Sequence, residues 1–236
     1  SSFIIEGGRK LKGTVRVSGA KNSSVALIPA AILSDDVVTI CNVPEITDID
    51  ALSDILEYLG ADVKRASESI VIDPKPSVNR PIPTSMAQKL RASYYFMGAL
   101  LGKYRHVEMS FPGGCSIGAR PINLHLKGFE ALGAKITQTD NVYIVHADKL
   151  KGANIYLDIA SVGATINIML AAVRAEGVTT IDNAAKEPHI VDVANFLNTM
   201  GADIRGAGTD VIKINGVEKL HGNATYSVYV FKQYGC

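Results

Sequence analysis

The sequence lacks tryptophan and has only three cysteines in 236 residues. Cys41, Cys115 and Cys236 are an odd number without a CxxC spacing, so the pattern predicts neither a disulfide framework nor a zinc cluster. Reduced thiols in a cytoplasmic protein fit this usage better than secretion does.

An excess of either charge and a long hydrophobic run are also missing. Lysine and arginine number 24 against 23 aspartate and glutamate residues, so the chain as a whole is not expected to bind nucleic acid or an anionic membrane. The longest apolar runs, 25–33 and 166–173, are far shorter than the about 20 residues of a membrane-spanning helix. Residues 1–10 lack the pattern of a secretory signal peptide. We therefore expect a globular protein that binds any anion locally.

An internal repeat determines the predicted architecture. Gly60, Gly133 and Gly201 each follow an apolar pattern typical of one face of a helix. Each glycine stands where a left-handed residue ends a helix, and two strands are predicted to follow it. A more apolar helix lies upstream, at 23–33, 92–101 and 164–175. Each unit is thus predicted to run strand, helix, strand, helix, strand, strand.

A short motif marks where units begin. Lys10-Leu11-Lys12-Gly13 is similar to 149–152 and to Lys219-Leu220-His221-Gly222, so a fourth unit begins near Lys219. No apolar helix of the expected kind follows it. We infer that the chain is truncated or altered at its end.

The loop 111–121 carries the densest chemical signal, because it combines three glycines with Cys115 and Arg120. Pro121 is expected in the first turn of the next helix, where free amides and Arg120 favour an anion. The glycines and the nearby cation predict a reactive, accessible thiol at Cys115. The alternative is a small buried apolar side chain, which is our interpretation of Cys41. The glycine spacing does not match a dinucleotide fingerprint, so no nicotinamide or flavin cofactor is expected.

Three equivalent points of the repeat begin the apolar helices, at 18–22, 90–93 and 161–165. Helix N-termini attract anions. If the units pack around one axis, these starts could bind one anionic ligand together with Lys21 and Arg91. Each of these cations taken singly is more simply a solvated surface charge. Glu187 is a weak candidate for an acid or base, and the histidines receive no role because their spacing is not that of metal ligands.

These motifs resemble the UDP-N-acetylglucosamine 1-carboxyvinyltransferases, an enolpyruvyl transferase family. The resemblance extends from Phe3 to Gly222, and its motifs are Ser18-Gly19-Ala20-Lys21-Asn22, Arg91-Ala92-Ser93, 112–121, Ser161-Val162-Gly163-Ala164-Thr165 and 183–188. It implies an α/β fold, an inside-out α/β barrel built from repeated βαβαββ units, with three units plus the start of a fourth. It also implies that 1–20 is a strand segment belonging with a second domain, that 21–218 form the first domain and that 219–236 start the second.

The resemblance implies transfer of the enolpyruvyl group of phosphoenolpyruvate to the 3-hydroxyl of UDP-N-acetylglucosamine, with release of phosphate, as the first committed step of peptidoglycan synthesis. Cys115 would deliver the proton to C3, and Lys21 and Arg120 would be catalytic with it. Substrate-binding residues implied in the same way are Lys21, Asn22, Arg91, Arg120, Pro121, Ile122, Asn123, Leu124, Ser161, Val162 and Gly163. No cofactor, metal, nucleic acid or membrane partner is implied, and full-length members are expected to be monomers.

Two other interpretations stay open. One is the related enzyme that transfers the same group to shikimate 3-phosphate, which lacks the cysteine loop. The other is a non-catalytic half-enzyme scaffold. Because the aspartate that serves as base in the family lies in the absent half, this chain alone is expected to be nearly inactive.

Overall fold

The computed structural model describes residues 2–10, 12–112, 122–139 and 141–230. In these ranges the helices are α1 (Lys21–Ala30), α2 (Thr47–Tyr58), α3 (Thr84–Ala87), α4 (Tyr95–Tyr104), α5 (Asn123–Ala131), α6 (Val162–Ala172) and α7 (Pro188–Thr199). The strands are β1 (Val38–Cys41), β2 (Asp62–Ala66), β3 (Ser69–Asp73), β4 (His106–Ser110), β5 (Lys135–Thr139), β6 (Val142–His146), β7 (Asn154–Tyr156), β8 (Val178–Asp182), β9 (Asp203–Arg205), β10 (Val211–Asn215) and β11 (Ala224–Ser227).

The repeat forms three sheets, one for each unit. Their strand orders are β11-β1-β3-β2, β4-β6-β5 and β7-β8-β10-β9. In every unit the last strand pairs antiparallel with the strand between the two helices, as Ile40 opposite Ile70 shows in the first. Cys41 is the last residue of β1, and its half-buried thiol is free. The predicted α/β fold of repeated units is confirmed.

The glycine that ends the second helix of each unit has the predicted left-handed backbone. The φ angles of Gly60, Gly133 and Gly201 are 94°, 93° and 98°, which side chains rarely tolerate. The amide after each glycine donates to the carbonyl five residues before it, as Ala61 does to Leu56 at 3.0 Å. This is a Schellman motif, so a local sequence signal ends all three helices.

The first helix of each unit lies inside the molecule. Helices α1 and α6 are buried from their third residue onward and α4 from Tyr95 to Gly102, in agreement with their apolar composition. Helices α4 and α6 pack especially closely, because a Cβ on Gly98 would lie 2.2 Å from the carbonyl oxygen of Asn167. The sheets therefore surround a helical core, which is the inside-out arrangement expected.

One polar network crosses this core. Asn167 of α6 is fully buried, and its Oδ1 accepts from the Gly98 amide at 2.7 Å. Its Nδ2 donates to the Tyr94 carbonyl and to Nδ1 of His125, each at 2.9 Å. Because Nδ1 accepts, the ring of His125 carries its proton on Nε2. Burial and then the charge of Arg91 lower the pKa of His125 to about 3.

The described residues before α1 form no strand, and Val15 is 86% exposed. The assignment of 1–20 to a strand segment of a second domain therefore stays a prediction. The place beside β1 is taken by β11, which pairs in parallel with Val38 opposite Ala224, as β7 does beside β8. One sheet edge accepts only one parallel neighbour. In the second unit, the described ranges contain only a bridge between Ile82 and Met109 instead of the predicted first strand.

The segment that carries β11 is firmly attached to the first and third units. Asn42 donates from Nδ2 to the Val228 carbonyl at 2.9 Å, and Asn183 makes the equivalent bond to Leu157 at 2.7 Å. The buried carboxylate of Asp192 on α7 accepts from the Tyr226 hydroxyl and from the Tyr229 amide. The division of the chain at 1–20, 21–218 and 219–236 stays a prediction, to which the structure adds that 224–227 complete the first sheet.

The length and polarity of the helices bear on membranes. Across the described ranges, no helix combines enough length with enough apolar character to cross a bilayer.

Acid should destabilise the fold through His125. Between pH 7 and pH 5 we expect the free energy of unfolding to fall by about 2 kcal/mol, because unfolded His125 binds a proton that the folded ring takes up only near pH 3. The measurement is urea unfolding at both pH values for the parent chain and for His125→Gln, whose pH slope should be shallower. His146→Gln, on the exposed side of β6, is the control. Equal slopes in all three proteins would contradict this account.

Candidate active site

The starts of the inner helices border one cleft of about 580 Å³. Lys21 and Asn22 come from α1, Arg91 from the turn before α4 and Val162 from α6. The rest of the lining is Val25, Asp48, Leu90, Ala92, Tyr94, Tyr95, Glu187 and His189. Equivalent points of all three units thus meet at one place, and positive helix ends border it.

Lys21 is positioned by an ion pair. Its Nζ lies 2.6 Å from Oδ1 of Asp48, in the first turn of α2. The side chain of Asp48 is 18% exposed and that of Lys21 56%. The carboxylate is therefore the more fixed partner, and it holds the ammonium group at the rim of the cleft.

Arg91 is supported by aromatic rings. Its guanidinium carbon lies 5.7 Å from the centre of the Tyr94 ring, which is within the range of a cation–π contact. That ring in turn makes edge contacts with Tyr95 and His125, at 4.6 and 4.9 Å between centres. Burial raises the pKa of Tyr95 well above its usual value, so its hydroxyl stays neutral.

The start of α6 approaches the second unit closely. The hydroxyl of Ser161 caps the helix by accepting from the Ala164 amide at 3.3 Å. A Cβ on Gly163 would lie 2.8 Å from the Tyr94 hydroxyl and 3.0 Å from the His125 ring. A larger residue would have to displace these side chains, so the backbone of Gly163 lies close to the network around Asn167.

The other residues predicted to bind substrate are placed differently or lie outside the described ranges. Ile122 is buried before α5, Asn123 is exposed and Leu124 is half-buried. None of them lines the cleft, although His125, the next residue, lies close to Gly163. Cys115, Arg120 and Pro121 lie outside the described residues, so their roles stay predictions.

The sequence pattern assigns no role to several residues of the lining, among them Asp48 and His189. Both occupy the same position of the repeat, directly before Ile49 and Ile190 at the start of α2 and α7. Aligning the units on the helix starts as well as on the terminal glycines would have identified them. The weak candidate Glu187 does line the cleft.

The cleft carries both signs of charge. Lys21 and Arg91 are balanced by Asp48 and Glu187, which suits a ligand with anionic groups and hydroxyls. In the part of the chain that the structure describes, no three His, Cys, Asp or Glu side chains are grouped to hold a metal ion.

Curated proteins similar to this chain are named UDP-N-acetylglucosamine 1-carboxyvinyltransferase 2. The protein of Oceanobacillus iheyensis is 58% identical over 220 residues, which are 93% of this chain and 51% of that protein. The protein of Bacillus anthracis is 59% identical over 221 residues, 93% of this chain and 52% of its own length. The chain thus spans about half the length of the curated relatives it matches. The resemblance indicated by the motifs is confirmed.

Two solved structures share the architecture, and one family description covers nearly the whole chain. The enolpyruvyl transferase NikO from Streptomyces tendae is 26% identical with a TM-score of 0.82, over 94% of this chain and 53% of that one. EPSP synthase from Acinetobacter baumannii, 24% identical with a TM-score of 0.70 over 94% of this chain and 51% of its own, shares the fold. Residues 5–229 match EPSP synthase (3-phosphoshikimate 1-carboxyvinyltransferase), and the chain therefore belongs to that family.

Proposed function

We propose that this chain provides the three-unit half of an enolpyruvyl transferase that joins phosphoenolpyruvate to UDP-N-acetylglucosamine. The reaction would release phosphate and form the first committed intermediate of peptidoglycan. The observation that carries the proposal is the meeting of Lys21, Asn22, Arg91 and Val162, from three separate units, at one cleft. The names of the relatives that are 58% and 59% identical support the same choice.

The charges of the cleft suit phosphoenolpyruvate, which carries a phosphate and a carboxylate. In this proposal Lys21 and Asn22 bind it, and the start of α1 adds its positive helix end. A cation beside the phosphate also stabilises negative charge that develops as phosphate leaves. Asp48 keeps Lys21 in place for this role.

The remaining roles follow the family pattern. Cys115 would protonate C3 of phosphoenolpyruvate, and Arg120 would assist it. Arg91 and the segments 120–124 and 161–163 would bind the nucleotide sugar, with the backbone near Gly163 facing its diphosphate. The cytoplasmic location and monomeric state expected from the sequence stay predictions.

A second acceptor follows from the family description, which names 3-phosphoshikimate 1-carboxyvinyltransferase. The EPSP synthase structure is only 24% identical, whereas the relatives named for UDP-N-acetylglucosamine exceed twice that value. We therefore propose the nucleotide sugar as acceptor. Shikimate 3-phosphate and a non-catalytic scaffold become outcomes of the test.

This chain should bind its acceptor substrate but turn over very slowly. We expect calorimetry to detect UDP-N-acetylglucosamine but not shikimate 3-phosphate, because the cleft and its surroundings come from the described units. Phosphate release with both substrates should stay far below that of a full-length relative assayed beside it, because the catalytic base belongs to the absent half. Preferential binding of shikimate 3-phosphate would reverse the choice of acceptor, and binding of neither would favour the scaffold.

Arg91→Ala should weaken the binding of UDP-N-acetylglucosamine about ten- to hundredfold, because a hydrogen bond to a charged group is lost. The control is Arg80→Ala, since Arg80 also stacks on a tyrosine, Tyr58 at 5.2 Å, but does not line the cleft. The two dissociation constants, measured by calorimetry, decide the matter. Equal affinities in the two variants would refute a binding role for Arg91.

Alkylation of Cys115 by iodoacetamide should slow when phosphoenolpyruvate and UDP-N-acetylglucosamine are both present, because ligands would cover the thiol. Peptide mass mapping separates this site from Cys41, whose half-buried thiol in β1 is the internal reference. Cys41 should react at the same rate with and without ligand. Unchanged alkylation of Cys115 at saturating ligand would argue against its place in the site.

A further inference from the structure

The histidine at the start of α7 has an unusual position in the cleft. His189 follows Pro188, the first residue of this helix, and lines the cleft while only 8% of it is exposed. Helix α7 packs against α1, which begins with Lys21. His189 is therefore a largely buried polar ring at the positive end of a helix, in the same cleft as Lys21.

The ring of His189 has no hydrogen-bond partner among the residues that the structure describes. The other deeply buried histidine, His125, is bound to Asn167. In the same ranges, the side-chain polar atoms that are both sealed from solvent and unpaired belong to Ser23, Arg174 and Thr179. The ring nitrogens of His189 are thus not sealed, and the cleft that the residue lines is their route to solvent. Buried polar groups are normally paired, so the missing partner is one that the cleft can hold.

The surrounding charges influence the protonation state in which the His189 ring meets a ligand. Burial lowers the pKa of His189, while the carboxylates of Glu187 and Asp192 act to raise it. The charged or titratable groups that line the cleft with it are Lys21, Asp48, Arg91, Tyr94, Tyr95 and Glu187. Those on α7 and on the strands packed against it include Asp192 of α7, Asp203 and Arg205 of β9, and Tyr226 of β11. The neutral ring offers one N–H and one lone pair. An anion at the N–H would favour uptake of a second proton.

We propose that His189 is a ligand-binding residue of this cleft and that its ring donates a hydrogen bond to a phosphoryl oxygen of the substrate. This inference rests on the proposed function, in which both substrates carry such oxygens. Phosphoenolpyruvate has a phosphate and the nucleotide sugar a diphosphate. The positive N-terminal end of α7 favours the same group.

Two variants test the hydrogen bond. His189→Leu removes both nitrogens, whereas His189→Gln keeps a donor, and His146→Leu on the exposed side of β6 is the matched control. Calorimetry with inorganic phosphate, phosphoenolpyruvate and UDP-N-acetylglucosamine gives the dissociation constants. We expect His189→Leu to weaken the affinity about tenfold, His189→Gln to recover most of it and the control to match the parent chain.

The pattern across ligands identifies the oxygen that is bound. A loss for phosphate and phosphoenolpyruvate assigns the contact to the three-carbon substrate, and a loss for UDP-N-acetylglucosamine alone assigns it to the diphosphate. From pH 6.5 to pH 8 the affinity of the parent chain should fall more steeply than that of either His189 variant, because only the imidazole can gain a proton as the anion binds.

The failure of this inference is distinguishable from failure of the proposed function. If the parent chain binds none of the three ligands, the proposed function and this inference both fail. If the parent chain binds and His189→Leu binds equally well, only the role of His189 is refuted. If the variants fail to fold, the unsubstituted chain still tests the proposal. In the parent chain, labelling of His189 by diethyl pyrocarbonate should slow with bound ligand, and an unchanged rate would overturn the proposal.

Discussion

The contact between Gly98 of α4 and Asn167 of α6 fixes much of this molecule. The two helices touch so closely that no side chain fits at Gly98, and Oδ1 of Asn167 accepts a hydrogen bond from the Gly98 amide. The same side chain then binds the Tyr94 carbonyl and the His125 ring. Tyr94 lies against Arg91, and Tyr94 and His125 lie so close to position 163 that a side chain there would have to displace them. The geometry of the candidate site is therefore a consequence of how the core packs.

The inner helices also explain why one end of the molecule suits anions. At their C-terminal ends, carbonyl groups are bound by the protein's own cations. Lys103 donates to the Ser34 carbonyl at 2.9 Å, and Arg105 donates to the carbonyls of Gly102 and Arg174. Burial lowers the pKa of Lys103 and of Arg105. The negative ends are thus satisfied internally, whereas the positive ends border a cleft whose own cations are balanced by carboxylates.

The parts of the fold that sequence predicted correctly are those with local causes. The glycines at 60, 133 and 201 end helices through bonds that reach only a few residues, and apolar helices become buried in any packing of the units. The parallel neighbour of β1 could not be predicted in this way, because it is β11, which lies far along the chain. No local pattern shows which distant strand will pair with a given sheet edge.

The site could be predicted in part for the same reason. Lys21, Asn22, Arg91 and Val162 belong to helix starts that the repeat aligns, so their convergence followed from symmetry. The network around Asn167 that supports them could not be predicted from symmetry. Asn167 looks like one polar residue in an apolar helix until its partners in another unit are known. His189 was missed because its importance comes from the absence of a partner in the described structure, which a sequence pattern does not reveal.

The cleft is mechanically joined to the two places where the chain leaves the three-unit part. The Ala20 amide donates to the Tyr229 carbonyl at 3.1 Å, so residues 20 and 229 lie side by side. Lys21 follows Ala20 directly, and Asp192, which binds the Tyr229 amide at 3.2 Å, is one helical turn beyond His189. A displacement of either segment therefore acts within one peptide bond on Lys21 and through Asp192 on the wall formed by α7. The candidate site is therefore separated from both segments only by the Ala20–Tyr229 bond and the Asp192 carboxylate.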